Sequence, residues 1–171
     1  MPDTTYNTLE IFGEEDGLRY FYEKNKISKD DEKFLDINQE RIEDESDECV
    51  LSFSKSVPRD IDIILIKNIE NEKKCKLTDK QKWEVRCSIW GTKIDAVEPK
   101  VDLSEIKEGK ITYYFDTAWC YPYNWLKIVS AMYHTLEFRI KHINECENFN
   151  TEHHHKYKKG IEIEYSKNTL N

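Results

Sequence analysis

Apolar and polar residues alternate along this chain with two different periods, and each change of period marks an element. Thr5 to Phe12 alternates, Leu9 and Ile11 on one face and Tyr6 and Phe12 on the other, as a half-buried strand does. Gly13 ends it. Leu18, Phe21 and Tyr22 then recur at i, i+3 and i+4, which predicts a helix from Glu15 to Asn25. Val50 to Ser54 alternates briefly. After Pro58 the run Ile61-Asp62-Ile63-Ile64-Leu65-Ile66 fits both periods, and the proline and the length of the stretch favour helix. Glu70 to Lys76 reads as a charged connector. Thr78 and Gln81 have the spacing of a capping box, with Trp83, Cys87 and Trp90 at i, i+4 and i+7 behind them. Gly91 stands where a left-handed residue stops a helix.

Lys93 to Val97 reads as a short strand and Glu108-Gly109 as a turn. The stretch around which the chain is organised is Ile111 to Pro122. Ile111, Tyr113 and Phe115 alternate with Thr112 and Tyr114, and the strand runs into Asp116, Thr117 and Trp119, with Pro122 at the first position of a helix. That helix gathers Trp125, Ile128, Val129 and Met132 on one side. Leu136, Phe138, Ile140 and His142 then alternate with Glu137, Arg139 and Lys141, and Ile161, Ile163 and Tyr165 repeat the pattern against Glu162 and Glu164. Alternation in place of continuous apolar runs predicts an α+β domain with a half-exposed sheet and helices on one face. No repeat or linker divides the chain, so 1–171 reads as one domain.

Charge adds a feature that periodicity does not show. The net charge is −8, and the stretch Lys29 to Glu48 holds ten acids against Lys29, Lys33 and Arg41, a net −7. The acidity belongs to one insertion after the first helix, and the rest is nearly neutral. Such a run reads as a solvated loop, or as a docking element in which Phe34, Leu35, Ile37 and Ile42 form an apolar face for a basic partner. An acidic total disfavours broad contact with a phosphate backbone. The five cysteines, at 49, 75, 87, 120 and 146, include no Cys-x-x-Cys and read as free thiols of a reducing compartment. No apolar run reaches membrane-spanning length and no basic-then-apolar start reads as a secretion signal, so the expectation is a cytoplasmic protein without membrane contact.

Several motifs resemble a known family. Tyr6-Asn7-Thr8-Leu9-Glu10-Ile11, Trp90-Gly91-Thr92-Lys93 and Tyr114-Phe115-Asp116-Thr117-Ala118-Trp119 look like the YubB-like ferredoxin-like domain of plasmid, phage and viral proteins, and the Trp125-Leu126-Lys127 helix and Leu136-Glu137-Phe138 strand fit as well. The chain departs from that pattern at Asp3-Thr4-Thr5, at Ile94, at Cys120-Tyr121 and in the acidic insertion. The resemblance implies a ferredoxin-like antiparallel sheet with helices packed on one face. It also implies a virus or mobile element as the setting, with the host cytoplasm or the virion as location. It implies no activity, and no iron–sulfur cluster, since the cysteines lack cluster spacing.

Four constellations could carry chemistry. Lys93, Asp95, Asp116 and Thr117, with Trp119, could converge at one end of the sheet as a binding patch or an acid/base pair. The plainer reading makes Asp116 and Thr117 caps of the following helix, with Trp90, Trp119 and Trp125 in the core. Cys120 near a helix start could be an activated thiol, but has no histidine beside it in sequence. His142, Cys146, His153, His154 and His155 match no structural zinc spacing, so no metal or cofactor is expected beyond adventitious binding by the histidine run. His153 to Lys159 reads as a hairpin tip before the Gly160 strand. With Tyr114, its Lys156, Tyr157, Lys158 and Lys159 could stack and hold RNA or single-stranded DNA on the sheet. The expected function is a non-enzymatic protein-interaction module of a virus or mobile element. A nucleic-acid binder is the first alternative and a small enzyme built on Asp116 and Lys93 the second; oligomeric state stays open.

Overall fold

A computed structural model describes residues 3–27, 49–58, 61–147 and 149–169. The acidic stretch expected at 29–48 lies outside the described residues. The chain order is β1 (Thr4–Phe12), α1 (Glu15–Asn25), α2 (Phe53–Ser56), α3 (Ile61–Lys73), α4 (Asp79–Trp90), β2 (Val97–Asp102), β3 (Lys110–Ala118), α5 (Tyr123–Met132), β4 (Glu137–Asn144), β5 (Thr151–Lys158) and β6 (Ile161–Thr169). A short 3-10 turn, Glu145–Glu147, follows β4.

The strands form one antiparallel sheet in the order β2-β3-β1-β4-β5-β6. Within it, β1 lies between β3 and β4, which are joined through α5, so β3-α5-β4 is a split βαβ unit. With α1 following β1 and the β2-β3 pair preceding α5, this is the ferredoxin-like α+β fold, extended past β4 by a β5–β6 hairpin. The hairpin closes in two residues, Lys159 and Gly160, with φ of 53° and 81°, the positive values a tight primed turn needs.

Alternation decides which side of the sheet is dry. Leu9, Ile11, Ile111, Tyr113, Phe115, Phe138, Ile140 and Tyr157 point to the helices and are buried. Phe21 of α1 is the hub of this side, its ring edge-on to Tyr113, Trp125, Tyr133 and Phe138 at centroid distances of 5.0–6.5 Å. Phe53 of α2 forms a second hub with Trp90, Phe115 and Trp125 at 4.7–5.8 Å. The other side of the sheet carries Tyr6, Tyr114, Arg139 and Lys141 and faces water.

Local chemistry explains where elements stop and where expectation fails. α4 has the expected capping box, Gln81 N–H donating to the Thr78 hydroxyl while the Gln81 side chain accepts from Thr78 N–H, and Gly91 ends it at φ 86°. The strand expected at Lys93–Val97 instead begins at Val97, because residues 92–96 are a pinned connector. Thr92 Oγ1 donates to the Ala118 carbonyl, and Asp95 is engaged with α2. Val50–Ser54 ends in a helical turn for the same reason. Asp95 accepts from Phe53 N–H and Ser54 N–H, the first amides of α2. α3 runs on through Lys73, taking in half of the expected connector. Asp116 and Thr117 do not cap α5: they belong to β3, and Pro122 holds the cap position without a side-chain bond. Trp90 and Trp125 are core, but Trp119 is 36% exposed.

Candidate functional site: a histidine–tyrosine cluster beside an open sheet

The expected patch at the end of the sheet divides into separate pieces. Asp95 is a capping carboxylate for α2. Thr117 is buried, accepting from Asn7 Nδ2 at 2.9 Å and donating to the Cys120 carbonyl at 2.9 Å. Asp116 points to the opposite, open face, paired across the sheet with Tyr6 and Val97. Its carboxyl pKa is raised, first by burial and then by the charges of Glu98 and Glu145. Lys93 and Trp119 do meet: the ammonium lies 5.2 Å from the indole, with Trp83 edge-on to the same ring at 5.1 Å. Trp119 holds φ of 69°, an uncommon value for a side chain of this size, fixed by its N–H donating to the Asp3 carbonyl at 2.8 Å. Cys120 is exposed, and its thiol pKa is pushed up by partial burial and by Glu147, the opposite of an activated nucleophile.

The expected hairpin tip His153–Lys159 is in fact most of β5, and strand alternation sorts it onto two faces. Lys156 and His154 share the open face with Arg139 and Lys141, their register partners. Lys156 is paired with Glu137 at 3.3 Å, and His154 with Glu152 at 2.5 Å. Tyr157 faces the core and is fully buried, so it cannot stack a base on the sheet surface. Lys158 ends the strand and Lys159 sits in the turn. Tyr114 is on the open face, 47% exposed, beside a shallow depression lined by Tyr6, Thr8, Asp116, Lys141 and Glu152.

On the helix-facing side the same alternation gathers what the sequence kept apart. His153 and His155 stand two apart on β5, and His142 of β4 is the direct cross-strand partner of His153. One ring nitrogen of each of these three lies within 4.8 Å of the others. Their rings stack nearly parallel, His142 on His153 at 4.9 Å and on His155 at 5.2 Å, with Tyr121 against His142 and His155 at 4.4 and 4.3 Å. Tyr165 of β6 covers the outer side, 4.8 Å from His155.

Hydrogen bonds fix the tautomers. A carboxylate only accepts, so Glu162, 2.5 Å from His155 Nδ1, places the proton there and leaves Nε2 with a lone pair. That Nε2 faces His142 Nε2 at 3.2 Å, so His142 donates from Nε2, and its Nδ1 is buried without a hydrogen-bond partner among the described residues. Glu147, 2.6 Å from His153 Nε2, likewise holds that proton, and the Tyr165 hydroxyl donates to Nδ1 at 3.0 Å. Burial, reinforced by the neighbouring imidazoles, pushes the His142 pKa down to about 3, and burial also lowers that of His155. His142 is therefore neutral at pH 7. Tyr121 and Tyr157 bond to each other at 3.0 Å, and burial moves both hydroxyls to high pKa, Tyr157 to about 12. The signal for this cluster is present in the sequence as His-x-His on a strand. Reading the segment as a hairpin tip hid it, because a tip has no inside face.

One further surface matters. β6 is the sheet's edge, and all nine of its positions are exposed, Ile161, Ile163 and Tyr165 included. Among the described residues no helix is long and apolar enough to cross a membrane.

Comparison with known proteins adds a family match for the C-terminal part. Neither curated proteins nor solved structures returned a match. The model of the ferredoxin-like domain in Api92-like protein matches residues 100–169, a range that holds β3, α5, β4, the β5–β6 hairpin and all three clustered histidines. Over that range the chain is similar to the ferredoxin-like domain of Api92-like proteins, in keeping with its sheet order.

Proposed function

We propose that the protein is a non-enzymatic interaction module that receives an extended segment of a protein partner along β6. The observation that carries this reading is an edge strand exposed at every position yet furnished with Ile161, Ile163 and Tyr165. Edge strands present unpaired N–H and C=O groups, and globular proteins usually blunt them with inward charges, proline or short length. This one is nine residues long and has no proline, and its blunting is limited to Glu162, which turns in to His155, and to a bulge where the register on β5 shifts between Lys156 and Tyr157. A strand added to β6 would satisfy that backbone row and cover the isoleucines, the usual mode of β-augmentation. The resemblance to YubB-like domains supports a virus or mobile element as the setting, with action in the host cytoplasm.

The enzyme reading draws little support, since Lys93 lies over Trp119 while Asp116 is paired with Tyr6 and Val97, and Asp95 is a cap. Nucleic-acid binding has one observation in its favour, the exposed pair Tyr6 and Tyr114 on the open face. Against it stand the carboxylates of Glu10, Asp116, Glu137 and Glu152 among the lysines of the same face. The test is affinity capture from a nuclease-treated host extract with wild type and with Ile163→Lys, whose side chain is exposed and costs little stability. A protein recovered by wild type and lost with the variant supports the reading. Equal recovery by both, or recovery of nucleic acid alone before nuclease treatment, overturns it.

A further inference from the structure

The geometry points to a built site for one divalent transition-metal ion of the zinc class, held by His142, His153 and His155. This inference stands apart from the β6 reading and needs none of its assumptions.

The donor set is suitable. Neutral imidazole is a good ligand for Zn²⁺ and its neighbours in the series, and three protein nitrogens with an open fourth position form a recurring zinc arrangement. The spacing fits too. With Zn–N of about 2.0–2.1 Å, two nitrogens on a tetrahedral ion sit about 3.3–3.4 Å apart. His142 Nε2 and His155 Nε2 are 3.2 Å apart, and the third ring supplies a nitrogen inside the same 4.8 Å circle. In the absence of an ion one of those two nitrogens must carry a proton to bridge to the other. An ion takes the place of that proton, which then moves to His142 Nδ1, a buried atom without a hydrogen-bond partner among the described residues.

The surroundings resemble the outer shell of a metal site. Metal-binding histidines usually give their second N–H to a carboxylate, which fixes the ring and strengthens its lone pair. Here Glu162 does this for His155 and Glu147 for His153, leaving as lone-pair nitrogens Nε2 of the first and Nδ1 of the second, from which the Tyr165 hydroxyl at 3.0 Å has to turn away when an ion binds. The side chains of His153 and His155 are only 10% and 9% exposed, so the site is shielded yet reachable from the shallow depression lined by His155, Glu162 and Tyr165. The rings stack with interplanar angles of 7–8°, so loading requires them to turn about χ2 until the lone pairs converge. His154, the middle residue of the histidine run, lies on the other face and takes no part.

The test is calorimetric titration of the purified full chain with ZnCl₂, after chelator stripping and under reducing conditions, with Co²⁺ absorption reporting tetrahedral coordination. The expected result is one ion per chain, with affinity reduced more than about 100-fold by His155→Gln or His142→Gln and unchanged by His154→Gln. The thiol background is common to all variants, so the differences belong to the imidazoles. Should His155→Gln lower the melting temperature of the metal-free chain, Glu162→Gln carries the test. It keeps all three imidazoles and should weaken binding about 10–100-fold. No saturable binding, equal loss with His154→Gln, or full affinity in both His155→Gln and Glu162→Gln overturns the assignment.

Discussion

Asp95 offers the sharpest check on how the middle of the chain is held, because one carboxylate ties together segments more than forty residues apart. Oδ1 accepts from Phe53 N–H at 2.6 Å and from Ala96 N–H at 2.7 Å, and Oδ2 accepts from Ser52 Oγ at 2.7 Å and from Ser54 N–H at 3.3 Å. It caps α2 from a distant part of the chain, since Ser52 holds the cap position without capping its own helix. Hydrogen bonds to a charged acceptor contribute about 1.5–3 kcal/mol each, and losing a helix cap costs about 0.5–2 kcal/mol. After Asp95→Ala, Ser52 keeps Ser54 Oγ as a partner at 2.6 Å, so the groups left wanting are three amides, those of Phe53 and Ser54 in α2 and that of Ala96. The cost should be about 3 kcal/mol, some 6–12 °C in melting temperature for a domain of this size. Asp95→Asn keeps one oxygen for Phe53 and Ala96 but turns an amide N–H₂ towards Ser54, and should cost about half as much. Urea unfolding followed by tryptophan fluorescence reads both variants, because Trp90 and Trp125 are buried. A cost below about 1 kcal/mol for Asp95→Ala, or equal costs for Ala and Asn, would refute the distant cap.

Two further outcomes follow from the same reasoning. Trp125→Ala should cost about 3–5 kcal/mol as a fully buried core truncation, whereas Trp119→Ala should cost less than about 1 kcal/mol; equal thermal shifts would contradict their placement. Asp116→Asn should raise the melting temperature at pH 7, because a carboxyl whose folded pKa lies above its unfolded value destabilises the fold once ionised. That gain should vanish as the pH drops below the ordinary carboxylate range, where wild type is protonated as well, and a gain independent of pH would show another cause.

What the sequence disclosed depends on whether a signal is local. The capping box at Thr78, the glycine stop at Gly91, α1 at Glu15–Asn25 and the alternation of β1, β3 and β4 are set by neighbours in the chain, and they stand where periodicity places them. Strand-to-strand register is not local. Asp116 and Thr117 sit one residue apart, and whether they share a site or lie on opposite faces depends on where β3 ends. Proline at 122 draws the helix start towards them, while pairing with Thr4 and Thr5 extends the strand through Ala118. Asp95 is harder still: nothing near it in sequence shows that its partners lie at 52–54. The histidine cluster needed both the extent of β5 and its register on β4, and neither is visible while His153–Lys159 is taken for a turn.

The anchoring of the insertion has a consequence for how this fold can change. Ile27 N–H donates to the Cys49 carbonyl at 2.7 Å, and Ser52 N–H to that of Asn25 at 2.8 Å, so the chain leaves α1 and returns to α2 through one fastened doorway. Loop closure grows only logarithmically with length, about 0.6 kcal/mol per doubling. The cost of joining Asn25–Ile27 to Cys49–Ser52 across the chain between them therefore depends only weakly on its length, and the two backbone bonds set the end of α1 beside the start of α2, where Phe53 packs on Trp125.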